Sequence, residues 1–92
     1  MLFDWDPKKA EKNLKKHRVS FEEATTVFLG GPVLELEDRD YDEQRFIVIG
    51  FSARMRVLVV VYVYRDEDVT KIISARKAEP SEVREYEKRV RF

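Results

Sequence analysis

The chain has 92 residues, with 18 Lys and Arg balanced by 18 Asp and Glu, one histidine and no cysteine. That length makes a single domain, residues 1–92, with a modest core. Zero net charge excludes a global field that would draw the chain onto nucleic acid or membrane. The lack of cysteine excludes disulfides and thiolate zinc sites.

The N-terminal segment is acidic and polar within a few residues, unlike a secretion signal. The longest apolar run, Val57 to Tyr64, is far too short to span a bilayer. A soluble, cytoplasmic protein is therefore expected, and with a single histidine no metal or other cofactor is expected.

Asp6-Pro7 opens the first helix: Asp6 accepts free N–H groups, and Pro7 stands where its missing donor costs nothing. Ala10, Asn13, Leu14 and His17 share one face by three-and-four spacing, and the helix should stop near His17-Arg18. Ser20-Phe21-Glu22-Glu23 fits a capping box, with Glu23 returning a bond to the Ser20 backbone. Phe21, Ala24, Val27 and Phe28 form the buried stripe of this second helix, which Gly30-Gly31-Pro32 ends.

The hydrophobic period then changes to two. Val33 to Glu37 alternates like a half-buried strand, Asp38 to Gln44 is a polar turn, and Arg45 to Ser52 is a second strand with Gly50 at a bulge position. Arg56 to Arg65 is almost continuously apolar, as a central strand should be. Val69 to Lys77 makes the fourth strand, and Pro80-Ser81 starts a last helix with Val83, Tyr86 and Val90 inside. Short connections favour antiparallel neighbours. The expected fold is α+β in the order ααββββα, a four-stranded antiparallel meander with helices packed on it.

Cleavage of RNA without a metal needs a base for the ribose 2′-hydroxyl, an acid for the leaving oxygen, and cations for the phosphorane. Arginine suits phosphate by its bidentate fork. His17, Glu22 and Glu23 are available for proton transfer, and Lys9, Lys16, Arg45, Arg65 and Arg76 as cations. Tyr62 and Tyr64 are candidates to stack on bases or donate to phosphate. Each has a structural alternative. His17 in a last helical turn commonly bonds free carbonyls, and Glu23 is explained by the capping box. Lys9 and Lys16 share a helix side as plain surface would. Arg45 and Arg65 stand at strand ends beside acidic loops that offer pairs. Strict alternation places Ile72, Ser74 and Arg76 on one face, with Ile73, Ala75 and Lys77 on the other. Trp5 reads as a core anchor under the first helix.

Three blocks resemble the BrnT family. The first is Phe3-x-Trp5-Asp6-Pro7-x-Lys9-Ala10-x-x-Asn13-x-x-Lys16-His17 followed by Val19-Ser20-Phe21-Glu22-Glu23-Ala24. The second is Glu43-x-Arg45 leading to Ile49-Gly50-x-Ser52. The third is Val60-Val61-Tyr62, Arg65, Ile72-Ile73-Ser74-Ala75-Arg76-x-Ala78, with Tyr86-Glu87 in the last helix. The resemblance implies a RelE-like fold and an endoribonuclease toxin of a type II pair, arresting growth and neutralised by a BrnA-like antitoxin. In such pairs the antitoxin carries the DNA-binding part, so operator DNA is reached only through it, and the complex represses its operon. By position the resemblance carries over Lys9, His17, Glu23, Arg65 and Arg76 as catalytic candidates. Lys16, Arg45, Tyr62 and Tyr64 are the RNA-binding candidates read from the residues. Several positions depart from the family pattern. Arg18 stands where the family usually has glycine, Arg54-Met55-Arg56 lacks the usual glycine before its arginine, Gly31-Pro32 replaces Asp-Pro, and Val83 stands at a frequent arginine position. A homodimer is compatible with the sequence. The competing reading is a non-catalytic module that holds a protein partner with the same patch.

Overall fold

The computed structural model describes residues 1–39 and 44–90. The elements run β1 (Leu2–Asp4), α1 (Pro7–His17), α2 (Phe21–Leu29), β2 (Leu34–Asp38), β3 (Arg45–Phe51), β4 (Val57–Asp66), β5 (Val69–Lys77) and α3 (Pro80–Arg89). Residues 40–43, between β2 and β3 in the chain, lie outside the described residues, and with them Glu43 of the second sequence block and most of the polar turn expected over 38–44. No helix among the described residues is long and apolar enough to cross a membrane.

The expected α+β meander is present, with one addition. The sheet has five strands in the order β1-β5-β4-β3-β2. The extra strand, β1, pairs parallel to β5 through Leu2 to Asp4 against Val69 to Lys71. Three residues carry too little alternation to be read from sequence, and the pairing is made by a strand distant in the chain. Strands β2 to β5 are antiparallel neighbours.

Helix α1 starts as its sequence dictates: Asp6 accepts the Lys8 N–H at 2.8 Å and Pro7 occupies the first turn. Of the expected stripe of Ala10, Asn13, Leu14 and His17, Leu14 is exposed and Asn13 is buried. The reason is geometric. β1 covers β5 only as far as Lys71, so the backbone of Ala75 further along that edge needs another partner. The Asn13 amide supplies it, donating to the Ala75 carbonyl at 2.8 Å and accepting the Ala75 N–H at 3.2 Å. The same amide nitrogen donates to the Val19 carbonyl at 3.0 Å. One side chain thus ties α1, the α1–α2 turn and the sheet edge together.

Two cores lie on opposite faces of the sheet. One joins Val19, Phe21, Ala24 and Val27 to Val48, Leu58, Val60, Tyr62, Ile72 and Ala75, with Trp5 packed against it as expected. The other joins Tyr86 and Val90 of α3 to Leu34, Ile49 and Val59. Gly50 is not a bulge, since it pairs regularly with Leu58. A Cβ there would stand 3.0 Å from a Val33 methyl and 3.2 Å from a Val27 methyl, so its role is close packing. The irregularities fall between β4 and β5 instead, where Arg65 and Ile73 have no partner in the ladder. The extra residue at Ile73 resets the pleat. Ile72 and Ala75 consequently share the α1–α2 core, which overturns the strict alternation expected for this strand.

Arg18 (φ 60°) and Met55 (φ 62°) are the non-glycine residues with left-handed backbone among those described. Arg18 caps α1 with its N–H on the Leu14 carbonyl, and Met55 closes the β3–β4 turn with its N–H on the Ser52 carbonyl.

Two predictions follow from this architecture. Asn13→Ala should lower unfolding free energy by about 2–3 kcal/mol, because three backbone groups lose their partner. Asn13→Asp should be worse at neutral pH, since a carboxylate faces two carbonyls, and its deficit relative to Asn13→Ala should shrink on acidification. Arg18→Gly and Met55→Gly should each raise stability by about 0.5–1 kcal/mol, relief of left-handed strain outweighing the added unfolded-chain entropy. Denaturant midpoints check both.

Candidate functional site

At the end of the sheet where β3 begins and β4 ends lies a cavity of about 470 Å³. Lys9, Arg45, Arg65 and Lys71 line it with the aromatic rings of Phe46 and Tyr64. Among the described residues no carboxylate lines it. In a chain of zero net charge this is a concentrated cationic patch. Its floor includes Val63 and Ile73. Arg65 and Ile73, the two residues left out of the β4–β5 ladder, both line this cavity, as bulges that re-aim side chains beside a site do. Tyr64 is 55% exposed and its ring lies 5.3 Å from that of Phe46. Arg65 pairs with the Asp4 carboxylate of β1. Both partners are substantially exposed, so the pair is weak and open to exchange for another anion.

A second basin of about 330 Å³ adjoins the first, sharing Lys9 and Ile73 with it. Lys12, Lys16, His17, Asn13 and Ser74 complete its lining. Among the described residues the His17 ring makes no hydrogen bond or ion pair, so the expected carbonyl contact at the helix end is absent. The α1 C-terminus is closed by the Arg18 N–H.

The other candidates are engaged elsewhere. Ser20 accepts the Glu23 N–H at 3.0 Å, but the Glu23 carboxylate does not return to Ser20. It is buried, taking Arg56 Nε at 2.8 Å and the Ser52 hydroxyl at 2.7 Å on one oxygen and Arg56 Nη2 at 2.6 Å on the other. Arg56 also donates to the Arg18 carbonyl at 2.9 Å. Glu23 therefore joins α2 to the β3–β4 hairpin and to the end of α1, and the capping-box assignment is corrected. The hydrogen bonds from Arg56 hold its carboxyl below the usual glutamate range against the opposing effect of burial. Arg76 is forked onto Glu82 of α3 at 2.7 and 2.8 Å, and this holds Glu82 below the usual range too. Arg76 lines neither basin. Tyr62 is 2% exposed, enclosed by Phe28, Phe46 and Tyr64, and burial pushes its hydroxyl pKa upward. Its expected stacking on a base is therefore closed off in this conformation. Thus Lys9, Arg45, Tyr64 and Arg65 converge, Lys16 and His17 lie in the adjoining basin, and Glu23, Tyr62 and Arg76 are structural in their placement.

The profile of the ribonuclease toxin family BrnT, of type II toxin–antitoxin systems, matches residues 5–82. The chain belongs to the BrnT family. It is accordingly a ribonuclease toxin of a type II pair, with RNA as substrate and an antitoxin as partner. The fold is similar to that of the Brucella abortus ribonuclease toxin BrnT, at a TM-score of 0.66 and 23% identity, covering 86% of this chain and 99% of that one. Identity that low carries the BrnT fold and not the site. No curated protein matches the chain.

Sequence reasoning missed Asn13 as the clamp, Arg56 as the partner of Glu23, and Lys71 and Phe46 as cavity walls. Only the Asn13 signal was available in advance: a polar residue on an otherwise inward face calls for a backbone partner.

The two depressed glutamates set an acid limit. Stability from the Glu23–Arg56 and Glu82–Arg76 pairs is fully present above the unfolded glutamate pKa near 4.5 and is lost as pH falls through the lower folded values. Glu23→Gln should remove part of that acid sensitivity while lowering neutral-pH stability by about 3 kcal/mol, because Arg56 loses its carboxylate. Urea titrations between neutral and acidic pH measure both effects.

Proposed function

We propose that this toxin cleaves RNA endonucleolytically without a metal ion, at the cationic cavity where Lys9, Arg45 and Arg65 surround the scissile phosphate. The observation that carries the reading is the convergence of these cations and Lys71 with an exposed Tyr64, on a chain of zero net charge. Guanidinium and ammonium groups preorganised at a phosphate stabilise the developing dianion in place of a metal. Arg65 is the principal phosphate ligand, exchanging Asp4 for the substrate. Lys9, common to both basins, holds the same phosphate from the helix side. His17 performs proton transfer from the adjoining basin, imidazole being able both to accept and to donate a proton. Tyr64 on Phe46 offers a stacking surface for an unpaired base.

The family supports neutralisation by a BrnA-like antitoxin, with repression of the operon by the complex through the antitoxin's DNA-binding part. Co-purification with the product of the adjacent gene, followed by sedimentation, tests partner and stoichiometry together, a homodimer included. The alternative, a non-catalytic module using the same patch, draws on the engagement of Glu23 and Arg76 in structural pairs. Binding to the adjacent gene product with no RNA cleavage would favour it.

The purified protein should cut RNA in EDTA. Lys9→Ala and Arg65→Ala should each lower kcat about 100-fold with unchanged circular dichroism, as removal of a transition-state donor does. Parent-like rates in both variants would sink the site. His17→Ala should remove one limb of the pH–rate profile, and an unchanged profile would return His17 to surface. Asp4→Asn should strengthen RNA binding by releasing Arg65.

A further inference from the structure

Helix α1 carries a feature that stability does not explain. Lys9, Lys12 and Lys16 follow three-and-four spacing, so like charges stand on one helix face, at a small cost to the helix for each pair. Its one acidic residue, Glu11, is 3.4 Å from Lys15 and lines neither basin. Among the described residues Lys9, Lys12 and Lys16 have no ion-pair partner. All three line the second basin, with His17, Ile73 and Ser74. That basin opens onto the cleavage cavity, since Lys9 and Ile73 border both. The helix is held in this position by the Asn13 amide on the β5 edge, so the lysine row faces the sheet in a fixed register. From Lys9 to Lys16 the row runs about 10 Å along the helix axis. A positive groove ending at an aromatic platform is the arrangement that tracks a single-stranded backbone and stacks unpaired bases.

We propose that the second basin is a phosphate subsite for single-stranded RNA. Lys12 and Lys16 hold the backbone flanking the cut, and the strand runs along α1 from the cleavage cavity. Lys12 is a positioning residue: it acts on the flanking backbone, away from the scissile bond. This inference rests on the ribonuclease reading for the location of the cut, and its binding test is independent of cleavage.

The experiment compares the parent, K12A, K12A/K16A and the control K8A/K15A, whose lysines line neither basin, on a mixed-sequence single-stranded oligoribonucleotide. Truncated versions of that strand and a blunt duplex of the same sequence complete the set. The expected result is a rise in KM of about 10-fold for K12A/K16A, with a salt slope of log affinity shallower by about 0.7 per lysine removed. The rise should diminish as the strand is shortened, and K8A/K15A should match the parent. Parent affinity for the duplex should be weaker than for the single strand. Fluorescence anisotropy of the labelled strand reads the same comparison whether or not cleavage occurs. A binding loss in K12A/K16A beside an inactive parent would uphold the subsite and overturn the nuclease reading. Equal binding and equal salt slopes in K12A/K16A and K8A/K15A would overturn the subsite.

Discussion

The site depends on one carboxamide. A β-sheet edge exposes unpaired backbone groups, and β1 is too short to cover all of β5. Asn13 completes the edge by offering Ala75 both a donor and an acceptor, as a neighbouring strand would. Because that side chain belongs to α1, satisfying the edge also fixes the helix against it. The lysines that follow the turns of α1 are then carried to the rim of the sheet, where the β4–β5 bulges turn Arg65 and Ile73 toward them. A buried amide with satisfied partners is rigid, and rigidity at this point is what brings two distant stretches of chain to one cavity.

Charge in this molecule is divided between two tasks by burial. Glu23 is nearly enclosed and takes three hydrogen bonds from Arg56 and Ser52, so it works as a fastener between α2 and the β3–β4 hairpin. Glu82 does the same for α3, capping the Glu79 N–H while holding Arg76. Lys9 and Lys71 are exposed or half-buried, and the described charged residues that line their cavity are cations. Cations left this way keep a positive potential available to an incoming phosphate. Arg65 lies between the two groups, since its pair with Asp4 is exposed enough to be exchanged.

Two left-handed residues show how the fold holds local backbone strain. Arg18 and Met55 keep the left-handed backbone that glycine would adopt freely. The turns survive because each is over-determined. The Arg18 carbonyl receives Arg56, and the Met55 turn is closed on both sides by Ser52 and Arg56 backbone bonds. The strain at these two positions is therefore local and leaves the connection geometry in place.

Helix boundaries, the N-caps of the first two helices, the four meander strands and the inward stripe of α2 were legible in the residues, because propensity and periodicity act over a few positions. Pro7 and Asp6, Ser20, and the alternation of β2 all specify their elements locally. Candidate cations were legible as residue types, and Lys9, Arg45 and Arg65 do share a cavity. Their sorting was not legible. Whether Glu23 caps a helix or clasps Arg56, whether Arg76 faces a basin or Glu82, and whether Tyr62 meets solvent or Phe46 each depend on a partner more than five residues away. The bulge at Ile73 is likewise a property of the β4–β5 pairing, and one extra residue there moves every later side chain to the other face. Local rules determined which elements form; the long-range pairing of strands and ion partners decided which charges were spent inside and which were left to act.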